Sequence, residues 1–309
     1  MPAPSRTEAA PLETWLTSWR DVIDRALPGL LPPREELAGS VHDAMVYMLL
    51  SPGKRIRPTL TMAVGEMYRL EPRRLLPTAC AIEMVHTSSL ILDDLPCMDD
   101  ARLRRGRAAC HEAYGEATSI LAAVGLLNHA YAILAGGVRG AVDATRDRLR
   151  AIVARRLAAA IGLDGVIGGQ AADLEAARRG GASGSDLVAL EFIHSHKTGS
   201  LFIASAEVAA HLSAATPAEL QALMDYAKNL GLAFQITDDL IDATGDAKTA
   251  GKPVRADAGR TTFVSLCGVE GARTLAGELV GTAIESLAAF GRRAERLREL
   301  ARFVASRDR

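Results

Sequence analysis

Aromatic residues are scarce. Phe, Trp and Tyr make up 4% of the 309 residues, although 49% are hydrophobic. The core must therefore be built mostly from Ala, Leu, Val and Ile, which suit closely packed helices. Cysteine is sparse as well. Cys80, Cys97, Cys110 and Cys267 match neither a zinc-ligand spacing nor a dense disulfide framework. That points to a reducing, cytoplasmic compartment. The formal net charge is −1, so no global field favours nucleic acid or a charged membrane. Met1–Ala10 lacks an apolar core of the signal-peptide kind. No run of about 18 apolar residues stands out, so no stable membrane insertion is expected. Sustained alternation of β-branched residues between turn signals is missing too, which excludes a substantial sheet. Internal repeats and low-complexity tails are absent.

Helical periodicity is what the chain has instead. Val41, Ala44, Met45, Met48 and Leu49 recur at helical spacing until Pro52-Gly53 stops them. Thr216-Pro217-Ala218-Glu219 reads as an N-cap, a proline at the first helical position and a capping-box glutamate. Leu223, Ala227, Leu230, Phe234 and Ile241 then share a face. Pro/Gly-rich breaks fall near Leu27–Pro33, Ser51–Pro58, Ala135–Gly140, Arg178–Ser185 and Ala243–Arg260. None is long enough to separate domains. The expected fold is all-α: a single-domain helical bundle of about ten or more helices over residues 1–309, with a flexible N-terminus over 1–12.

Two acidic clusters lie far apart in this pattern. In the first, Asp93 and Asp94 close an apolar helical stretch, and Asp99 and Asp100 follow Pro96. Carboxylates this close repel unless a cation lies among them. Oxygen-only ligands suit Mg²⁺, which keeps several waters and bridges to phosphates. Arg104 and Arg105 supply positive charge for the same anion. A solvated acidic turn balanced by arginines is the plainer alternative. In the second cluster, Asp238 and Asp242 are four apart on one helix face, with Asp239 beside them and Gln235 a turn earlier. They stand near a helix C-terminus, where the macrodipole disfavours negative charge. A diphosphate held between the two helices by several Mg²⁺ ions would explain both clusters.

The basic segments are weaker signals singly. Gly53-Lys54-Arg55-Ile56-Arg57-Pro58 follows a helix break. Its glycine admits a close anion, while Lys54 and Arg57 can grip phosphate oxygens. His86 precedes Asp93 on the same helix. His196-Lys197-Thr198-Gly199 and Gly251-Lys252-Pro253 place lysines beside glycines. Taken with the acidic clusters, they describe two anion sites, one bridged by metal and one held by cations.

From about Ser51 to the terminal LARFVASRDR, the chain resembles the trans-isoprenyl diphosphate synthases of the polyprenyl synthetase family. DDLPCMDD followed by LRRG is similar to that family's first aspartate-rich motif, and GLAFQITDDLID is similar to its second. The resemblance implies a Mg²⁺-dependent prenyltransferase, with Mn²⁺ as a substitute and three ions per site. It implies that Asp93, Asp99 and Asp238 bind metal, supported by Asp94, Asp239 and Asp242. Lys54, Arg57, His86 and Arg105, beside Gly53, would hold isopentenyl diphosphate. Arg104, Lys197 and Lys252 would hold the allylic diphosphate, with Thr198 and Gln235 beside the allylic carbons. A homodimer is implied as well. The sequence departs from the family pattern at Leu92, often His; at Ala123-Val124-Gly125-Leu126, often Gly-Asp-Ala-Leu; and at Arg260–Val264, often Lys-Ser-Thr-Tyr-Pro.

The family's reaction is ionisation, condensation and elimination, with proton loss to the released pyrophosphate. No nucleophile–base pair near these motifs suggests another route. The growing tail should run down the helix before Asp93, where Ser88 and Ser89 leave room that a large ring would close. Geranylgeranyl diphosphate is then the expected main product and farnesyl diphosphate the alternative. A class I terpene cyclase would carry an Asn/Ser/Glu second motif. A non-catalytic subunit could have lost carboxylates that are intact here.

Overall fold

The computed structural model describes residues 11–136, 144–178, 186–244 and 261–307. Helices dominate it. They are α1 (Leu12–Leu30), α2 (Gly39–Leu49), α3 (Ile56–Met67), α4 (Pro72–Asp93), α5 (Cys110–Tyr114), α6 (Glu116–Ala135) and α7 (Ala144–Ile161). After them come α8 (Val166–Arg178), α9 (Asp186–His194), α10 (Ser200–Leu212), α11 (Pro217–Thr244), α12 (Phe263–Ser286) and α13 (Glu295–Ala305). The one sheet among the described residues is a two-stranded hairpin, β1 (Leu103–Arg104) with β2 (Arg107–Ala108).

Burial follows the scarcity of aromatics. α3, α4 and α10 are buried on nearly every side by Ala, Leu, Met, Val and Thr, as befits central helices. α1 shows the opposite, amphipathic pattern: Trp15, Trp19, Ile23 and Leu27 form one buried stripe at i, i+4 spacing. Both indoles donate to the Glu66 carboxylate, at 2.9 and 3.3 Å, so neither N–H is stranded. Tyr226, fully buried on α11, donates to the Leu297 carbonyl at 2.7 Å and ties α13 to the centre. The expected capping box opens α11: the Thr216 N–H donates to Glu219 at 3.0 Å, and the Glu219 N–H to Thr216 Oγ1 at 3.3 Å.

Two expectations need correction. Leu12, placed in the flexible N-terminus expected over 1–12, opens helix α1; residues 1–10 lie outside the described residues. Two helices, Pro72–Asp93 and Glu116–Ala135, are long and apolar enough to cross a membrane by length and composition. Isolated polar residues such as Glu83 interrupt the apolar run of Pro72–Asp93. In Pro72–Asp93 the apolar window is 67% buried within the fold, as a core helix requires, whereas in Glu116–Ala135 the figure is 33%. Ile120, Leu121 and Val124 face outward on α6.

Candidate active site

Helix α4 ends at Asp93 and delivers the first acidic cluster. The turn behind it is closed by backbone bonds: Asp99 N–H to Asp93 O at 2.9 Å, and Ala101 N–H to Asp94 O at 3.2 Å. Asp94 is fully buried and receives the Arg104 fork on both oxygens. Asp94 is thus a structural anchor, and Arg104, expected on the allylic diphosphate, points its guanidinium at Asp94. Asp93 is half-buried, and its carboxyl is pushed up to about 6, first by burial and then by its Asp99 and Asp94 neighbours. The opposing pull comes from Lys197 and Arg104.

Lys197 lies in a π-helical turn, Ser195–Gly199, between α9 and α10. Such turns break helix register and recur at functional sites. Two glycines let neighbouring backbones close on it. A Cβ at Gly169 of α8 would lie 2.2 Å from Lys197 N, and one at Gly231 of α11 would lie 3.1 Å from Gly199 Cα. Lys197 Nζ donates to Asp173 of α8 at 2.8 Å and feels the charges of Asp93 and Asp99. One residue on, Thr198 Oγ1 donates to Gln235 Oε1 at 3.0 Å. Gln235 Nε2 donates to Asp239 Oδ1 at 3.0 Å, and Asp239 Oδ2 accepts the Phe263 N–H at 3.1 Å. The π-turn therefore bridges the first acidic helix end to the second.

On α11 the neighbouring aspartates diverge. Asp239 is buried in that chain of bonds, while Asp238 keeps a partly open carboxylate. Asp238 accepts from Arg307 at 3.0 Å. Arg307 also donates to the Phe234 carbonyl at 3.2 Å and lies over the Phe234 ring at 4.0 Å. Phe234 packs against Phe202, and Arg57 covers Phe202 at 4.8 Å. Asp242 is half-buried one turn later.

Arg57 belongs to the basic pocket. It donates to His86 Nε2 at 3.2 Å, and burial lowers its pKa to about 10, so it stays charged at neutral pH. His86 is driven well below the usual imidazole value, first by burial and then by Arg57, Arg105, Arg104 and Arg55. It is the neutral acceptor among cations. Arg105 opens the two-residue turn of the hairpin with φ 54°, followed by Gly106 at 76°, the left-handed pair such turns require. That turn aims Arg105 at Gly53, where a Cβ would lie 2.8 Å from its guanidinium. Lys54 stands exposed at the rim. Lys252 lies outside the described residues.

The two serines differ. Ser88 Oγ donates to the Ala123 carbonyl of α6 at 2.8 Å and is buried in that packing. Ser89, bonded to the His86 carbonyl at 2.9 Å, is only partly buried and lies one turn before Asp93 on the same face.

The donors of the acidic ends are all oxygens, and Asp93 carries charge that a cation would relieve, so the residues fit Mg²⁺. Among the described residues no three acidic, His or Cys side chains converge into a cage for metal. Asp93 and Asp99 stand on one helix end and Asp238 on another, so a shared ion must draw on water or phosphate oxygens. Sequence reasoning missed Asp173, Glu83 and Arg307. Asp173 and Gln170 share a helix face in GGQAADLE, and Glu83 is a lone charge in the apolar AIEMV segment. Both were readable signals.

Carboxylate-bearing helix ends joined through one lysine turn, with a guanidinium pocket alongside, define a helical-bundle enzyme of diphosphate chemistry. Residues 39–285 match the family model described as polyprenyl synthetase. The chain belongs to that family. It is 41% identical over 273 residues to a chloroplastic geranylgeranyl pyrophosphate synthase of Capsicum annuum, covering 87% of this chain and 72% of that one. An FPP/GFPP synthase from Zymomonas mobilis superposes with a TM-score of 0.83 at 36% identity, covering 96% and 99% of the two chains. A Helicobacter pylori geranyltransferase, solved with magnesium and isoprenyl diphosphate, gives a TM-score of 0.81 at 29% identity, covering 97% and 98%.

Proposed function

We propose that this protein joins isopentenyl diphosphate to an allylic diphosphate and releases pyrophosphate, with geranylgeranyl diphosphate as its main product. The observation that carries this is the π-turn whose Lys197 feels the charge of Asp93 and whose Thr198 is hydrogen-bonded through Gln235 to Asp239, beside a separate Arg57/Arg105/His86 pocket. One diphosphate is held at the acidic ends and the other among the cations.

When bound at Asp93, Asp99 and Asp238, Mg²⁺ ions, three per site, supply positive charge to the leaving pyrophosphate; Mn²⁺ would substitute. Lys197, fixed by Asp173, adds a directed ammonium to the same oxygens. Thr198 Oγ1 and the Gln235 side chain lie next along that path and turn their dipoles to the allylic cation as the C–O bond breaks. Lys54, Arg57 and Arg105 orient isopentenyl diphosphate so that its double bond attacks that cation. A proton then leaves to the pyrophosphate, and the apolar walls exclude the water that would quench the cation. Lys252 is assigned to the allylic diphosphate from the sequence resemblance.

Ser89 on the Asp93 face leaves the tail room for a fourth isoprene unit, which favours twenty carbons over fifteen. Ile120, Leu121 and Val124 form an outward apolar stripe on α6 that suits a homodimer. The protein acts in the cytoplasm as one domain. The test is incubation of the purified chain with Mg²⁺, isopentenyl diphosphate and each allylic primer, then chromatography of the dephosphorylated products. A twenty-carbon alcohol is expected. A fifteen-carbon product would replace the length assignment, and no elongation would refute the synthase itself.

A further inference from the structure

Two of the five non-glycine residues with left-handed backbone among the described residues are arginines beside the basic pocket, Arg55 at φ 50° and Arg105 at φ 54°. That conformation is unfavourable for a residue with a Cβ and persists where surroundings fix it. Their guanidinium groups meet at one carboxylate. Arg55 Nη1 donates to Glu83 Oε1 at 2.7 Å, and Arg105 Nη2 lies 3.8 Å from the same oxygen. Both also turn to the Ser51 carbonyl, Arg55 at 3.0 Å and Arg105 at 3.5 Å. Asp24 accepts from Arg55 Nε at 2.8 Å and the Leu49 carbonyl from Nη2 at 2.9 Å. Arg55 is therefore enclosed and cannot reach a substrate.

Glu83 is 1% exposed on α4, about one turn before His86. Its carboxylate is almost fully covered, with Arg55 and Arg105 on the same oxygen. Without it, three arginines and His86 would crowd one pocket with no buried counter-charge.

We infer that Glu83 is the positioning residue of the isopentenyl diphosphate site, holding Arg55 as a strut and Arg105 in the orientation that receives the diphosphate. This rests on the assignment of Arg57 and Arg105 to that substrate. Positioning and simple charge balance predict opposite signs. Removing a negative charge beside an anion site should tighten anion binding if charge alone matters. Loss of an anchored arginine contact weakens it instead.

The experiment is steady-state kinetics of the full chain with each substrate varied in turn, for Glu83→Gln, Glu83→Asp, Arg105→Ala and the apolar pair Arg55→Met/Glu83→Met. Glu83→Gln should raise KM for isopentenyl diphosphate by about tenfold, the worth of one charged hydrogen bond. KM for the allylic substrate should stay within about twofold, below what one such bond is worth. Glu83→Asp keeps the charge but withdraws the carboxylate, and should show the same split. The apolar pair removes Arg55 together with its buried partner, so it should fold while retaining the high isopentenyl diphosphate KM. A lowered KM in Glu83→Gln, an unchanged one, equal rises for both substrates, or recovery in the apolar pair would each overturn the inference. Should Glu83→Gln not fold, the apolar pair and Glu83→Asp decide alone. If Arg105→Ala leaves KM for isopentenyl diphosphate unchanged, the substrate assignment itself fails, which a failure confined to Glu83 does not imply.

Discussion

Replacing Asp94 by Ala should destabilise the protein without loosening a metal ligand. Asp94 is fully buried, and the Arg104 side chain that grips it is 13% exposed. Removing the carboxylate strands a guanidinium in the interior. Breaking a buried pair from one side costs about 3–5 kcal/mol. Against a total stability of roughly 5–15 kcal/mol this is a large share. At about 2 °C per kcal/mol for a chain of this size, the melting temperature should fall by about 6–10 °C. Thermal unfolding measured without metal should show that fall. The companion variant Asp94→Leu/Arg104→Leu removes both charges and should recover at least half of it. Magnesium titration followed by the shift in melting temperature separates this role from ligation. A structural Asp94 leaves the Mg²⁺ response of the double variant close to that of the parent. A fall under about 2 °C in Asp94→Ala would refute the reasoning, since even an exposed pair contributes up to 1 kcal/mol. So would loss of the Mg²⁺ response in the double variant.

Ser89→Phe should shorten the main product by one isoprene unit, read by chromatography, whereas Ser88→Phe should instead lower stability by about 1–3 kcal/mol because its ring meets α6 at Ala123. Gly169→Val should displace the π-turn and raise KM for the allylic substrate, since its Cβ would lie 2.2 Å from Lys197 N; unchanged kinetics would contradict the close approach. His86 is held well below the usual imidazole value by burial and surrounding arginines, and His194 at about 4 mainly by burial. Both are neutral when folded but charge near pH 6.5 when unfolded, so stability present above about pH 6.5 is lost as pH falls toward 4. The raised carboxyl of Asp93 works in the other direction over the same range, so the contrast to measure is parent against His86→Gln/His194→Gln, whose melting temperature should vary less between pH 7.5 and 5. The proposed homodimer through the outward α6 stripe predicts that Leu121→Glu lowers the mass seen by size-exclusion chromatography with light scattering; an unchanged mass would refute that interface.

Features that depend on near neighbours along the chain were legible without the fold. The helical period of Val41–Leu49 and the Thr216–Glu219 capping box are local patterns, and both helices form as those residues dictate. The acidic ends at Asp93 and Asp238 were legible for the same reason: carboxylates clustered at helix ends announce a cost that something must relieve. Partners across the fold were not legible. Asp238 and Asp239 are adjacent in sequence, yet one faces Arg307 and the other Gln235 and Phe263 N. Ser88 and Ser89 look alike in the chain, but the rotation between neighbouring helix residues turns one into α6 and leaves the other on the Asp93 face. Arg55 and Arg57 sit two apart in one basic segment, and only packing makes the first a strut on Glu83 and the second a pocket wall. Period and capping follow from backbone geometry over a few residues. Which charge meets which is set by how helices distant in sequence stack, so it emerges only when they pack.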